Sequence, residues 1–267
     1  MVALLEAVGL TVSYGGLHAN DDVNLNVEQG KLVGLIGPNG AGKTTFIDAI
    51  TGFTSPTQGR IVFDGRDINA LSPAARASAG LTRTFQSLEL FDDLTVWENL
   101  LVPAERPTLK SVLNDFIRPN RKNPAHEQAR WAMDIMQLGD LKDRLTIDLS
   151  HGQRKLVSVA RALANRPKLV LLDEPAAGLD TAESQILGSH LRDFLKRDIS
   201  VFLIDHDMGL VLNVCDYIYV LDFGRIIAEG TPAQVRSNPA VIQAYLGESA
   251  GEAQAESGRV AGERAHA

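Results

Sequence analysis

Residues 31–45 read Lys31-Leu32-Val33-Gly34-Leu35-Ile36-Gly37-Pro38-Asn39-Gly40-Ala41-Gly42-Lys43-Thr44-Thr45. The stretch opens on an apolar run, the pattern of a strand buried on both faces. It then turns through glycines and reaches Lys-Thr-Thr at a helix start. Gly37, Gly42, Lys43 and Thr44 fit the G-x-x-x-x-G-K-[ST] phosphate-binding pattern. Polyphosphate needs backbone N–H groups converging on it, and glycines let the main chain come close. A helix beginning near Lys43 adds the positive end of its dipole. Lys43 is then expected to reach the β- and γ-phosphates, and the Thr44 hydroxyl to ligate Mg²⁺. A glycine-rich turn without a ligand would leave Lys-Thr after the last glycine unexplained. By itself the stretch specifies a purine nucleoside triphosphate and says nothing of what its energy does.

The 267 residues are 45% hydrophobic, ample for a packed core in one large domain or two small ones. A net charge of −7 argues against nucleic-acid binding driven by charge, so no nucleic-acid partner is expected. The one cysteine, Cys215, fits a reducing compartment and the role of a small buried apolar residue. Residues 1–6 lack a basic n-region and break at Glu6, so no signal peptide is expected. No apolar run approaches the ~20 residues needed to span a bilayer. The expectation is a soluble chain that can still dock on a membrane partner.

Along the chain, residues 4–30 read as antiparallel strands, with Val23, Leu25 and Val27 alternating with polar neighbours. Residues 46–50 continue as helix, closed by Gly52, and 60–65 form a strand and turn. Ser72-Pro73 is an N-cap with proline at the first helical position. Residues 80–86 read as a short strand entering an exposed loop, and Thr95-Val96-Trp97-Glu98 is a capping box. Segment 103–124 holds four prolines and the basic residues Lys110, Arg118, Arg121 and Lys122. It reads as an insertion between helices, either a solvated loop or a contact with phospholipid head groups. Helices are expected over 127–138, 149–164, 184–196 and 208–214, and strands over 169–172, 199–204 and 217–221. Thr231-Pro232 opens another capped helix. Residues 249–267 are expected to be a disordered tail, because they carry almost no large apolar side chains. The alternation of strands and helices implies an α/β domain over 1–248 with a mainly parallel sheet. An antiparallel β subdomain precedes it, and a mostly helical subdomain is inserted over roughly 71–149.

Leu169-Val170-Leu171-Leu172-Asp173-Glu174-Pro175 puts two carboxylates at the end of a buried apolar strand, where α/β sheets bind ligands. Asp173 is expected to help hold Mg²⁺. Glu174 is placed to polarise an attacking water. Leu149-Ser150-His151-Gly152-Gln153 opens a helix at 154–163. Ser150 and the Gly152 backbone would make a second anion-binding helix N-terminus.

With these motifs the chain resembles the ATPase subunits of ABC transporters, whose signature L-S-G-G-Q reads here L-S-H-G-Q. His151 replaces the first glycine, and a loop side chain facing a neighbouring subunit is expected there. The resemblance implies a P-loop NTPase fold, with ATP and Mg²⁺ as cofactors. Gln86 corresponds to the Q-loop glutamine, which senses Mg²⁺ and the attacking water. Ala177-Gly178-Leu179-Asp180 is similar to the D-loop, with Asp180 crossing to a partner subunit. His206 matches the switch histidine that contacts the γ-phosphate, although alone it would pass for a helix cap. Tyr14 sits where the family places an aromatic ring under adenine; a plain strand tyrosine is the other reading.

A finer resemblance is to the branched-chain amino acid importer ATPases. It is carried by Leu81-Thr82-Arg83-Thr84-Phe85-Gln86, Trp97-Glu98-Asn99-Leu100, Glu174-Pro175-Ala176-Ala177-Gly178-Leu179 and Asp205-His206-Asp207-Met208. The 103–124 insertion and Gly230-Thr231-Pro232, Asn238-Pro239 and Ala244-Tyr245-Leu246-Gly247-Glu248 add to it. Of the two paired ATPases in such importers, this chain resembles the longer one. The implied partners are transmembrane permease subunits, a second ABC ATPase subunit (identical or related) and, indirectly, a solute-binding protein. The implied place is the cytoplasmic face of the inner membrane. The implied solute is a branched-chain or other hydrophobic amino acid, or a related amide such as urea. The alternatives are a lipid or lipopolysaccharide exporter ATPase and a soluble ABC ATPase acting on ribosomes or DNA. The single ATPase unit, the lack of a coiled-coil insertion and the acidic charge weigh against the latter. Leu88, Leu90 and Phe91 are candidates for contact with the permease, or for internal core.

Overall fold

The structure, a computed structural model, describes residues 3–84, 89–104 and 124–245. Gln86, Leu88, most of segment 103–124 and the tail 249–267 lie outside the described residues. Among those described, no helix is long and apolar enough to cross a membrane.

Strands β1 (Ala3–Tyr14) and β2 (Leu17–Glu28) form a hairpin whose alternating Val23, Leu25 and Val27 are buried. With β4 (Gln58–Phe63) and β5 (Arg66–Asp67) they make an antiparallel sheet of order β2-β1-β4-β5. The main sheet has the order β10-β9-β3-β8-β7-β6. Its strands are β3 (Leu32–Ile36), β6 (Leu81–Arg83), β7 (Leu169–Asp173), β8 (Ser200–Ile204), β9 (Tyr217–Asp222) and β10 (Arg225–Gly230). All neighbours pair in parallel except β9 and β10. Every residue of β3, β7 and β8 is buried, which is why these strands read as unbroken apolar runs.

Successive side chains of these strands feed two different cores, as the period of two requires. Leu32, Ile36, Val170, Leu172, Val201 and Leu203 pack with the larger helical layer. Val33, Leu35, Leu169, Leu171, Phe202 and Ile204 pack with the antiparallel sheet and the helix α1 (Lys43–Thr51). Further helices among the described residues include α2 (Pro73–Ala79), α3 (Val96–Ala104), α4 (Pro124–Ile135), α5 (His151–Leu163), α6 (Thr181–Leu195), α7 (Met208–Val214) and α8 (Pro232–Arg236). Cys215 is a buried free thiol.

Several boundaries differ from the sequence expectation for identifiable reasons. Leu81–Arg83 joins the edge of the main sheet, within the stretch 71–149 that reads as mostly helical. Strand β10 was not anticipated, because Arg225–Gly230 has mixed burial as an edge strand. Helix α4 stops at Ile135. Helix α6 starts at Thr181, ahead of its first apolar positions, because Asp180 and Glu183 form a capping box.

Arg76 is 2% exposed. Its guanidinium donates to the Ala49 and Ile50 carbonyls at 2.7 Å each, and to those of Leu71 and Asn69 at 3.1 Å each. It thereby adds partners to carbonyls in the last turn of α1, where Ala49 also accepts from the Gly52 N–H at 3.3 Å. The far end of the helix that begins at Lys43 is therefore held by a side chain of α2.

His190 on α6 is 4% exposed. Its ring is hydrogen-bonded to the Ile135 main chain, and burial lowers its pKa. Its Nδ1 is buried without a partner. The unfolded chain therefore binds a proton at this residue more readily than the folded one. The resulting contribution to stability is full above the unfolded value of about 6.5 and is lost as pH falls through the lowered folded value. His190→Gln keeps a donor for Ile135 and cannot titrate. In urea melts, the stability of wild type relative to His190→Gln should be constant above neutral pH and decline toward pH 5. A pH-independent difference would show that His190 titrates alike in both states.

Candidate functional site

The topology assembles the site. β8 lies between β3 and β7, so the C-terminal ends of three parallel neighbours deliver Gly37, Asp205-His206 and Asp173-Glu174 side by side. The phosphate loop leaves β3 and wraps the start of α1. At Gly37 a Cβ would overlap the Leu221 carbonyl, and at Gly42 (φ 103) it would overlap the Ala19 carbonyl. Only glycine permits both approaches. The fully buried Asn20 donates its amide to the Gly42 carbonyl at 3.2 Å. Lys43 is buried, with Nζ donating to the carbonyls of Gly37 at 2.6 Å and Pro38 at 2.8 Å.

A cleft of about 400 Å³ lies over the loop, lined by residues 39–45 together with Leu17, His18, Ala19, Glu174, Phe223 and Gly224. Asn39, Gly40, Ala41, Gly42, Lys43, Thr44 and Thr45 therefore meet Glu174 across one space. Gly37 and Pro38 form the loop's stem. Tyr14 is not among the lining residues. It ends β1, 56% exposed, paired with Leu17 at the tip of the hairpin.

Glu174 follows β7 with φ 46, a left-handed backbone that a side chain adopts only under constraint. The constraint is visible. The Glu174 N–H donates to the Ile204 carbonyl at 2.7 Å, and Lys155 Nζ donates to the Glu174 carbonyl at 3.1 Å. His206 Nδ1 stands 3.8 Å from a Glu174 carboxylate oxygen and 3.8 Å from one of Asp205. Asp205 is fully buried and accepts from the N–H groups of Ala176 at 3.1 Å and Asp207 at 2.9 Å. Burial raises its pKa, partly offset by those two hydrogen bonds. Burial lowers the pKa of Lys155, while Asp205, Glu174 and Asp173 act in the other direction.

Asp173 is held by Arg83, whose guanidinium bridges the Asp173 Oδ2 at 2.7 Å and Asp48 on α1. The Arg83 and Asp173 side chains are 7% and 9% exposed. Breaking such a buried pair from one side costs about 3–5 kcal/mol. Thr84 adds a hydroxyl that accepts from the Asp173 N–H at 3.4 Å. Arg83 and Thr84 therefore hold the carboxylate and the main chain of Asp173 respectively. The sequence assigns no role to Arg83, Lys155 or Asp205, although Arg83 and Asp205 lie in stretches that carry the family resemblance. A lysine on the apolar face of α5 and an arginine between strand residues were the other signals available.

Ser150 caps α5, accepting from the Gln153 N–H at 3.2 Å, while Gln153 Oε1 accepts from the Ser150 N–H at 3.1 Å. His151 Nε2 is 3.3 Å from the Ala177 carbonyl. A Cβ on Gly152 would overlap the Glu183 carboxylate. Asp180 caps α6, accepting from the Glu183 N–H at 2.8 Å. Ser150, His151, Gly152, Gln153 and Asp180 thus form one packed unit that does not line the cleft over the phosphate loop.

Comparison with known proteins agrees with this arrangement. The ABC transporter family profile matches residues 20–177, and that of the branched-chain amino acid ATP-binding cassette transporters matches residues 225–251. The high-affinity branched-chain amino acid transport ATP-binding protein BraF of Pseudomonas aeruginosa is 40% identical, over 92% of this chain and 98% of its own length. The lipopolysaccharide export system ATP-binding protein LptB of Haemophilus influenzae is 37% identical over the same shares. A solved ATP-binding cassette of an ABC transporter, in its ADP conformation, superposes with a TM-score of 0.82 at 34% identity, covering 93% of this chain and all of that one. With the phosphate loop, the carboxylate pair and the capped L-S-H-G-Q helix in the family's order, the chain belongs to the ABC transporter family as an ATP-binding, ATP-hydrolysing cassette.

Proposed function

We propose that this cassette powers an importer for branched-chain or other hydrophobic amino acids, or for related amides such as urea. What carries the reading is the meeting of residues 39–45 and Glu174 over one cleft, with His206 3.8 Å from the Glu174 carboxylate. The likeness to BraF and the C-terminal profile match support the solute class. In this reading residues 1–248 are the ATPase domain, held by permease subunits at the cytoplasmic face of the inner membrane, with a solute-binding protein acting indirectly.

Lys43 leaves the Gly37 and Pro38 carbonyls for the β- and γ-phosphates of ATP. Thr44, Asp173 and Gln86 would supply hydroxyl, carboxylate and amide oxygens, a hard donor set that suits Mg²⁺. When bound, the ion neutralises charge on the phosphates. Glu174 polarises the attacking water, and His206 contacts the γ-phosphate. Tyr14 stacks on the base. Ser150, His151, Gly152, Gln153 and Asp180 stand off the cleft, which supports an ATP sandwiched between this loop and the signature of a second ATPase, identical or related. Closure of that pair drives the permease and hydrolysis resets it.

Glu174→Gln keeps the shape and removes the base. It should still bind ATP, lose turnover by about 100-fold or more, and run as a trapped dimer in size-exclusion chromatography with ATP and Mg²⁺. Near-normal turnover would refute the role of Glu174.

Phe91 is 45% exposed. Asn99 grips its main chain at 3.0 Å on both sides, and Arg161 lies 5.6 Å over its ring. Leu90 is half-buried against the helix-side core, and Leu88 lies outside the described residues. Phe91 therefore fits a permease contact better than a core position. Phe91→Ala should leave the melting temperature and free ATPase activity nearly intact, while weakening permease assembly by about 2 kcal/mol and abolishing uptake in proteoliposomes. Loss of fold, or normal uptake, would move the coupling contact elsewhere. The likeness to LptB keeps an exporter as the second reading; stimulation of the assembled ATPase by lipopolysaccharide and not by amino acids would establish it.

A further inference from the structure

Phe223 is 88% exposed, and its backbone sits at φ 41. A bulky residue in the left-handed region is strained, and such strain persists only where surrounding structure imposes it. Phe223 and Gly224 (φ 79) are the two residues between the paired Asp222 and Arg225, and a two-residue hairpin turn of this kind takes positive φ at both. Phe223 occupies the tight turn between β9 and β10. The next residue, Gly224, donates its N–H to the Ala41 carbonyl of the phosphate loop at 2.9 Å, and its own carbonyl accepts from the Asp21 N–H at 2.9 Å. Arg225 Nε donates to the Asp21 carboxylate at 2.9 Å. The turn is thereby fastened to both the phosphate loop and β2.

The lining of the cleft divides by chemistry. Residues 39–45 and Glu174 are the polar, phosphate-facing set. The start of β2 and the β9–β10 turn supply the rest, and their large apolar side chains are Leu17, 70% exposed, and Phe223. A purine and its ribose are the part of ATP that needs apolar cover. We propose that Phe223, together with Leu17, forms the wall against which the base packs, so that the β9–β10 turn is a base-binding element in addition to the hairpin that carries Tyr14. This rests on the reading of residues 37–45 as an ATP site. The main chain that carries the ring is hydrogen-bonded to the phosphate loop through Gly224, so the turn is already in place when the base arrives.

The test uses the full chain and two probes, a non-hydrolysable ATP analogue and inorganic tripolyphosphate, titrated by calorimetry. Phe223→Gly removes the ring and relaxes the backbone, so misfolding is not a concern. It should weaken the analogue about three- to tenfold, the size of a lost aromatic stacking contact, and leave tripolyphosphate unchanged. Phe223→Trp should bind like wild type, and the added indole should change emission with the analogue and not with tripolyphosphate. Native Trp97 and Trp131 do not line the cleft. Unchanged analogue affinity in Phe223→Gly would overturn the proposal. So would an equal loss for both probes, which would indicate damage to the phosphate loop. A base-specific loss in Tyr14→Ala with none in Phe223→Gly would return the base to the hairpin alone. A wild type that binds neither probe would overturn the ATP reading, and this inference with it.

Discussion

The phosphate loop has its place because the main chain passes too close to two carbonyls for any side chain to intervene. At Gly37 that carbonyl belongs to Leu221 at the end of β9, and at Gly42 to Ala19 at the start of β2. The first contact comes from the main sheet and the second from the antiparallel sheet. A loop of nine residues is therefore registered against both sheets, and the Gly224 N–H bond to Ala41 closes the third side. Both hydrophobic cores must be in place before the cradle exists. The position of the backbone N–H groups that would meet phosphate is a long-range consequence of the fold, fixed before any ligand arrives.

Charge is arranged around the same point. Three buried or half-buried groups, Asp48, Arg83 and Asp173, run from α1 through β6 to β7. Lys155 reaches from α5 to the Glu174 carbonyl. Isolated, each buried charge would be strongly unfavourable. Together the opposite charges and hydrogen bonds offset that, and they tie three layers to the strand ends where chemistry is proposed. The Lys155 contact connects the helix that carries L-S-H-G-Q to the residue proposed to polarise water. The Arg83 contact connects the strand that leads to Gln86 to the carboxylate proposed to hold Mg²⁺.

The elements legible in the sequence are those whose physics is local or periodic. The buried runs of β3, β7 and β8, the Thr95–Glu98 capping box and the Ser72-Pro73 helix start all carry their cause within a few residues. The phosphate loop is legible for the same reason, since its glycines, lysine and threonine are contiguous. What the sequence hides is partnership at a distance. Nothing near Arg83 in the chain announces Asp48 or Asp173. Residues 80–86 read as a short strand, but nothing in them says that β6 joins the edge of the main sheet beside β7, and β10 shows mixed burial as an edge strand. Phe223 looks like a turn residue until Ala41, close by in space and far off in sequence, is found beside its neighbour.

The L-S-H-G-Q stretch shows how far one cassette goes toward a complete site. Its Ser150 and Gln153 side chains are engaged in their own capping box, and His151 and Gly152 lean on Ala177 and Glu183 of the same chain. Glu183 and Asp180 in turn cap α6, and residues 177–180 follow directly on Glu174. The stretch is thus packed against the segment that follows the Glu174 strand of its own chain while standing off its own cleft. In the proposed pair, an ATP held by one subunit's loop would press on the other subunit's 150–153 stretch. That force would have a short packed route, through 177–183, to the other Glu174. Two sites coupled in this way would sense each other's nucleotide through contacts that already exist in the single chain, with closure needed only to bring the phosphates within reach.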